Sequence, residues 1–238
     1  MKLSKIYTLA GSMFVMAAAQ ATPLNSGFES GDFSNWTLSI PWGVSGFPPF
    51  DRPAGTAEVV SSWIGGTMPT ARFADEGSHF LALGTLDRGY FTGGSTYDIS
   101  ASQTFTLHQD DTLTGAVFHF NGDYEAQDSV WVKIFDATGN NLIATPWLKV
   151  SGNPDPNDPN ATAYQEASPW TSWQWTAPAS GEYTLSLGVS TFGDNRFATY
   201  GFFDGIGVMA TTVPEPSSAA LVVGLLSAFV VTRRKWRA

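Results

Sequence analysis

Tyr183, Leu185, Leu187 and Val189 alternate with Thr184, Ser186, Gly188 and Ser190. A period of two puts the four apolar side chains on one face of a strand and the small polar ones on the other. A second stretch, residues 129–136, places Val130, Val132 and Ile134 on one face and Trp131, Lys133 and Phe135 on the other. Both faces are partly apolar, which predicts an interior strand. Further strands are predicted over 36–40, 57–63, 79–83, 99–107, 112–120, 170–176 and 200–208, with turn chemistry at 136–141 and 177–181. No segment between residues 22 and 213 carries a helical apolar stripe. With 24 Gly and 14 Pro the chain suits short strands joined by turns. The pattern predicts an all-β, antiparallel two-sheet sandwich, most simply a jelly roll.

With no cysteine, the sequence has no disulfide scaffold, no thiolate metal site and no thiol nucleophile. A body of this length can bury enough apolar surface to hold without staples. Between residues 22 and 216 lie six basic and 21 acidic residues, a net charge of −15. Such a surface repels phosphate backbones, so nucleic acid is not an expected partner, and acidic substrates are disfavoured too. Cations and neutral polymers remain.

The two ends read as targeting segments. Lys2 and Lys5, the apolar residues 6–18 and the small-x-small site Ala19-Gln20-Ala21 compose a secretory signal peptide over residues 1–21. Its helix precedes a sandwich domain over 22–212. Residues 213–238 hold Pro214, Glu215 and Pro216, then an apolar run over 219–231, then a basic cluster that includes Arg233 and Arg234. At ~1.5 Å per residue the run reaches ~20–24 Å, a short transmembrane helix with its basic end held on the cytoplasmic side.

This three-part tail resembles the PEP-CTERM sorting signal. The resemblance covers about the last 25 residues and implies a Gram-negative host that makes extracellular polysaccharide. It also implies a membrane transpeptidase, an exosortase, as the partner that processes the tail. The protein would then be exported, held transiently in the inner membrane by its C-terminus, and finally placed at the cell surface or secreted.

Three stretches of the body resemble carbohydrate-binding-module-like jelly rolls. Asn25, Gly27, Phe28, Glu29, Gly31, Asp32 and Trp36 match the opening motif, Gly77 to Leu83 a following strand, and Tyr200 to Val208 the closing strand. In that family the opening Glu and the closing Asp often meet at a structural calcium, which implies Glu29 and Asp204 as its ligands here. The match departs at Gly205-Ile206, where the family has Asp or Asn followed by Val.

Flat aromatic faces stack on pyranose rings, and Trp42, Trp63, Trp147 and Trp170 fall near turns or strand ends. They are the candidate carbohydrate-binding residues, whereas Trp173 and Trp175 share one strand face and are expected in the core. The Pro/Asn/Asp-rich stretch 151–160 reads as a solvated loop. The three histidines show no metal spacing. Asp110-Asp111 and Glu125 with Asp128 are the acids a glycoside hydrolase would have to use, though each sits by a turn. The expected function is non-enzymatic: an exported, exosortase-processed surface or matrix protein that binds polysaccharide. The alternative is a glycan-active hydrolase.

Overall fold

The computed structural model describes residues 23–44, 51–85, 96–122, 128–150, 164–192 and 198–211. The signal segment, the Pro214–Glu215–Pro216 motif, Arg233, Arg234, Glu125 and the 151–160 loop lie outside them. Among the described residues there is no helix, and the strands are β1 (Thr37–Ser39), β2 (Trp42–Val44), β3 (Asp51–Pro53), β4 (Gly55–Val60), β5 (Ser62–Trp63), β6 (Arg72–Phe73) and β7 (Phe80–Thr85). They continue as β8 (Thr96–Leu107), β9 (Thr112–Phe120), β10 (Ser129–Asp136), β11 (Leu142–Val150), β12 (Thr171–Thr176), β13 (Gly181–Phe192) and β14 (Tyr200–Met209).

Two five-stranded antiparallel sheets form a jelly-roll sandwich. Sheet one runs β1-β8-β13-β10-β11 and sheet two β12-β9-β14-β7-β4. The alternation read from the sequence is the alternation observed. Leu185, Leu187 and Val189 of β13 are fully buried between the sheets with Ile99 and Leu107 of β8, Val130, Val132 and Ile134 of β10, and Leu83 and Phe203 of sheet two. Trp173 joins this core, and Trp175 packs edge-on against Tyr183 with ring centroids 5.1 Å apart.

Strand β10 has a neighbour on each side, β13 and β11, as its two-faced apolar pattern predicts. Strand β11 itself was not among the expected strands. Its Pro146 cannot donate to a ladder, a signal against a strand interior. The structure places it at a sheet edge, where one side of the ladder is free and proline is tolerated.

Sheet two carries a second apolar layer on its outer face. Phe80, Ala82, Phe118, Phe120 and Phe202 are buried there. Phe118 and Phe202 stack with centroids 4.1 Å apart. Residues 61–75 and 164–170 cover this layer: Thr67 N–H donates to the Gln165 carbonyl at 3.0 Å and Asn121 N–H to the Glu166 carbonyl at 3.0 Å.

Candidate functional site

The opening motif folds as a set of turns whose residues have separate tasks. Phe28 is fully buried against Trp36, ring centroids 5.1 Å apart, and the Trp36 Nε1–H donates to the Asn25 carbonyl at 3.1 Å. Asp32 caps the next turn, accepting from Ser30 Oγ at 2.6 Å and Ser34 N–H at 2.9 Å, which holds its carboxyl low at about 2. With Phe28 pinned, Glu29 is aimed outward at the segment 75–79.

Glu29 and Asp204 both bind this loop and both lie near Gly27, where an added Cβ would be 3.7 Å from Asp204 Oδ1 and 3.9 Å from Glu29 Oε1. Asp204 Oδ2 accepts the backbone N–H groups of Asp75 (2.8 Å) and Glu76 (2.9 Å), and Oδ1 accepts that of Gly205 (2.7 Å). Glu29 Oε1 accepts the N–H groups of Ser78 (2.9 Å) and His79 (3.0 Å), and His79 Nδ1 lies 3.9 Å from Oε2. The Ile206 N–H donates to the Ser26 carbonyl at 3.2 Å and joins the opening turns to the last strand. Two carboxylates thus clasp four backbone amides of one loop, those of Asp75, Glu76, Ser78 and His79, in charge-assisted bonds.

Their titration differs. Burial pushes the Asp204 carboxyl up to about 6 against the N–H bonds from Glu76, Gly205 and Asp75, and the Asp75 charge adds to the rise. The backbone N–H groups of Ser78 and His79 hold the exposed Glu29 carboxyl below its usual range.

Calcium takes six to eight oxygens. Among the described residues no group of three or more His, Cys, Asp or Glu side chains is placed to hold a metal. Asp204 Oδ2 and Glu29 Oε1 each already accept two N–H groups, so the side chains offer Oδ1 and Oε2 with lone pairs to spare. A cation here would take the rest of its shell from backbone carbonyls and water.

The four candidate tryptophans are dispersed. Trp42 is 66% exposed on the short β2–β3 hairpin. Trp147 is half-buried on β11, packed against the main core with its ring centroid 6.5 Å from that of His119. Trp63 and Trp170 come together on the outer layer of sheet two. Trp63 packs on Phe202 (4.6 Å), Phe120 (5.0 Å) and Tyr200 (5.4 Å). Trp170 packs edge-on against Phe118 (4.6 Å), and its Nε1–H donates to the Phe73 carbonyl at 3.0 Å.

Two of the candidate catalytic acids, Asp111 and Asp128, are buried and hydrogen-bonded. Asp111 is buried and accepts the His108 N–H at 2.7 Å and the Thr211 N–H at 3.2 Å. Asp128 is buried and accepts from Thr85 Oγ1 at 3.2 Å, while Thr85 Oγ1 accepts the Thr199 N–H at 2.9 Å. His119 is buried, and its imidazole is pulled down to about 4 by that burial first and Lys149 second.

The outer face of sheet one was not singled out by the sequence. Registered rows of hydroxyls cross three strands: Thr37, Ser102 and Ser186 in one, Thr104 and Thr184 in the next. The Thr104 and Thr184 hydroxyls bond each other at 2.7 Å. Thr37, Ser39, Thr104 and Thr106 are exposed, whereas Thr184, Ser186 and Ser190 lie low on the central strand. Beside them Trp131 lies across Gly188, whose missing side chain leaves the space: a Cβ there would meet the indole at 2.2 Å. Trp131 Nε1–H donates to Ser190 Oγ at 3.0 Å, Ser190 bonds Asp98, and Lys133 Nζ sits 4.0 Å from the Trp131 ring. The signal was present in the sequence as Ser100-x-Ser102-x-Thr104-x-Thr106, on the polar side of β8, but only the register shows that it continues across β13 and β1.

No known protein family matches the sequence, and no curated protein is similar to it. Among solved structures the chain is similar to TmCBM61 in complex with β-1,4-galactotriose, at 18% identity and a TM-score of 0.44, over 79% of this chain and 97% of that one. It is also similar to a non-crystalline cellulose specific carbohydrate-binding module, CBM28, at 12% identity and a TM-score of 0.41, over 79% and 95%. A cleaved adhesin domain of Lys-gingipain from Porphyromonas gingivalis aligns at 15% identity and a TM-score of 0.42, over 80% and 100%. At these values the likeness is one of sandwich shape and says nothing of ligand.

Proposed function

We propose that this is an exported, exosortase-processed surface or matrix protein whose sandwich binds polysaccharide without catalysis. One observation carries the binding: the outer face of sheet one is a registered field of small hydroxyls, with Thr37, Ser39, Thr104 and Thr106 exposed. The solvated face of an antiparallel sheet is polar, and its side chains pair across strands through opposite charges or through hydroxyls. Here the three strands β1, β8 and β13 present mostly serine and threonine, each of which both donates and accepts. Such a surface suits a neutral, hydroxylated polymer. The body charge of −15 disfavours an anionic one.

The tail supports the sorting half of the reading through Pro214-Glu215-Pro216, the apolar run and Arg233-Arg234. A calcium ion on Glu29 and Asp204 belongs to the same proposal, as a tie between the opening turns and the last strand. The hydrolase alternative loses ground because Asp111 is buried accepting the His108 N–H in its own turn and Asp128 is buried accepting the Thr85 hydroxyl at the end of β7.

The test is a pull-down of the full chain on insoluble neutral polysaccharides, repeated with Thr104→Val and Thr106→Val together, which removes two exposed hydroxyls of the field and keeps the β-branched shape. Retention of the wild type and its loss in the variant is the expected result. Wild-type protein that passes through every neutral matrix overturns the binding reading. Mass spectrometry of the mature protein from its host checks the sorting half, where loss of the residues after the Pro214-Glu215-Pro216 motif is expected.

A further inference from the structure

Away from the hydroxyl field, on the other side of the sandwich, a cleft of about 320 Å³ opens on the outer face of sheet two. Its floor is Ala116 and Gly205, and its walls include Asp75, Glu76, Ser172 and Gln174. The floor is low because its residues are small. Gly205 has φ +59°, in the left-handed region, at the register shift between Asp204 and Gly207. One wall is fixed from beneath: the buried Asp204 carboxyl holds the backbone N–H groups of both Asp75 and Glu76. Their side chains are thereby turned over to the surface. The opposite wall is the outward face of β12, where Ser172 and Gln174 alternate with the core residue Trp173. All four wall side chains are exposed, and none hydrogen-bonds another described residue.

We infer that this cleft binds a non-anionic sugar residue and gives the sandwich a second polysaccharide contact, on the face opposite the hydroxyl field. The inference rests on the polysaccharide-binding reading and goes beyond it. The volume is at the small end of ligand sites, which suits one or two sugar residues rather than a long chain. The lining is rich in acceptors and contains no Lys or Arg. Carboxylates accept two hydroxyls, or an ammonium, while Gln174 and Ser172 both donate and accept. A uronic acid or a sulfated sugar would meet two uncompensated carboxylates and be repelled. Sites on opposite faces would let one copy bridge two polymer strands, a cross-linking role that a single groove cannot serve.

The experiment is titration of the full chain with cellotriose, with the glucosamine trimer and with trigalacturonate, followed by calorimetry and by backbone amide NMR. Cellotriose or the glucosamine trimer should shift the amides of 75–76 and 172–174, and trigalacturonate should not. The stronger of the two separates hydroxyl from ammonium recognition. Ser172→Trp should fill the cleft and weaken this contact at least tenfold. The milder Gln174→Ala with Glu76→Gln should weaken it several-fold without stressing the fold. A shift at these amides that survives in the Thr104→Val, Thr106→Val double variant supports two independent contacts. If sugar binds but both cleft variants bind like wild type, or if the Thr104→Val, Thr106→Val double variant loses all binding, the second contact is wrong and the hydroxyl field stands. Equal binding of trigalacturonate in the cleft overturns the assigned chemistry. If no sugar binds anywhere, both readings fall together.

Discussion

The two outer faces of this sandwich are built from the same alternation and end up opposite in character. Sheet two turns Phe80, Phe118, Phe120 and Phe202 outward and must then cover them, which residues 61–75 and 164–170 do. Sheet one turns outward Ser100, Ser102, Thr104, Thr184 and Ser186, which need no cover because hydroxyls are at home in water. The lesson concerns where function can sit. A covered face gains stability by becoming a second core, and whatever it offers a ligand must lie at the rim of the cover, where the 75–79 loop and β12 form the cleft. An uncovered face contributes less to the fold and leaves its whole width to a ligand.

The sharpest way to break this comparison is to remove an aromatic from the covered face. Phe202 is fully buried and stacked on Phe118. Phe202→Ala removes its buried area and leaves a cavity, so a loss of ~3–5 kcal/mol is expected in urea melts. If the outer layer were merely a loop resting on a finished sheet, the loss would be under ~1 kcal/mol, and the second core would be no core at all.

The clasp comes next, because it pins one end of the cover. Asp204 has its carboxyl raised in the fold, from 3.8 to about 6. A carboxyl raised on folding favours the protonated fold. Its contribution is therefore full below about pH 4 and is lost as pH rises through about 6. Glu29 runs the other way: its carboxyl is lowered, and its contribution is lost as pH falls through the carboxylate range. At pH 7.5, without a cation, Asp204 is the weaker member of the clasp. A calcium ion would neutralise it and stabilise the fold by RT ln(1 + [Ca]/Kd), ~2.7 kcal/mol at a hundredfold over Kd. A chelator should then lower the melting temperature at pH 7.5 more than at pH 5, and Asp204→Asn should remove the difference. A melt indifferent to chelator at both values overturns the calcium and leaves the tie to the backbone amides of 75–79 and the Ile206–Ser26 bond.

How much of this was legible beforehand follows from what local sequence can carry. Strands β9 and β10 were bounded correctly at 112–120 and 129–136, because alternation is a local signal. The resemblance implies Glu29 and Asp204 as a pair; the structure has both carboxylates accepting N–H groups of residues 75–79, which no motif names. Strand β11 was hidden by Pro146. The outer aromatic layer was hidden because Phe118, Phe120 and Phe202 lie on strands apolar on both sides, where alternation does not say which side meets a second layer. The hydroxyl field was hidden because register between strands far apart in sequence is set by tertiary pairing and not by composition.

On the open face the expected effects are smaller. Gly188 holds the space that the Trp131 indole fills, so Gly188→Ala forces the ring off the strand. Overpacking of this kind typically costs ~1–3 kcal/mol. The loss should come with a change in tryptophan fluorescence as Lys133, 4.0 Å above the ring, is displaced. A variant as stable as wild type with unchanged emission would mean that the indole does not lie across β13 as described.

The smallest effect is the one that decides whether the open face is structural at all. Leu185 and Ser186 are adjacent on β13 and point to opposite sides. Leu185 is fully buried in the main core, and its truncation to Ala should cost ~2–5 kcal/mol. Ser186 is 7% exposed, sheltered by Lys133 and Ser102, its partners in register on either side, yet its hydroxyl makes no bond with another described residue. Ser186→Ala therefore removes no native hydrogen bond and leaves no apolar cavity, and it should fall within ~0.5 kcal/mol of wild type. Its consequence belongs to binding, because Ser186 shares a row with Ser102 and Thr37. Unchanged melting together with weaker retention on a neutral polysaccharide is the expected pair of results. A melting loss as large as that of Leu185→Ala would show that the hydroxyl rows hold the sheet together, and the contrast between a covered face and an open one would then be one of degree.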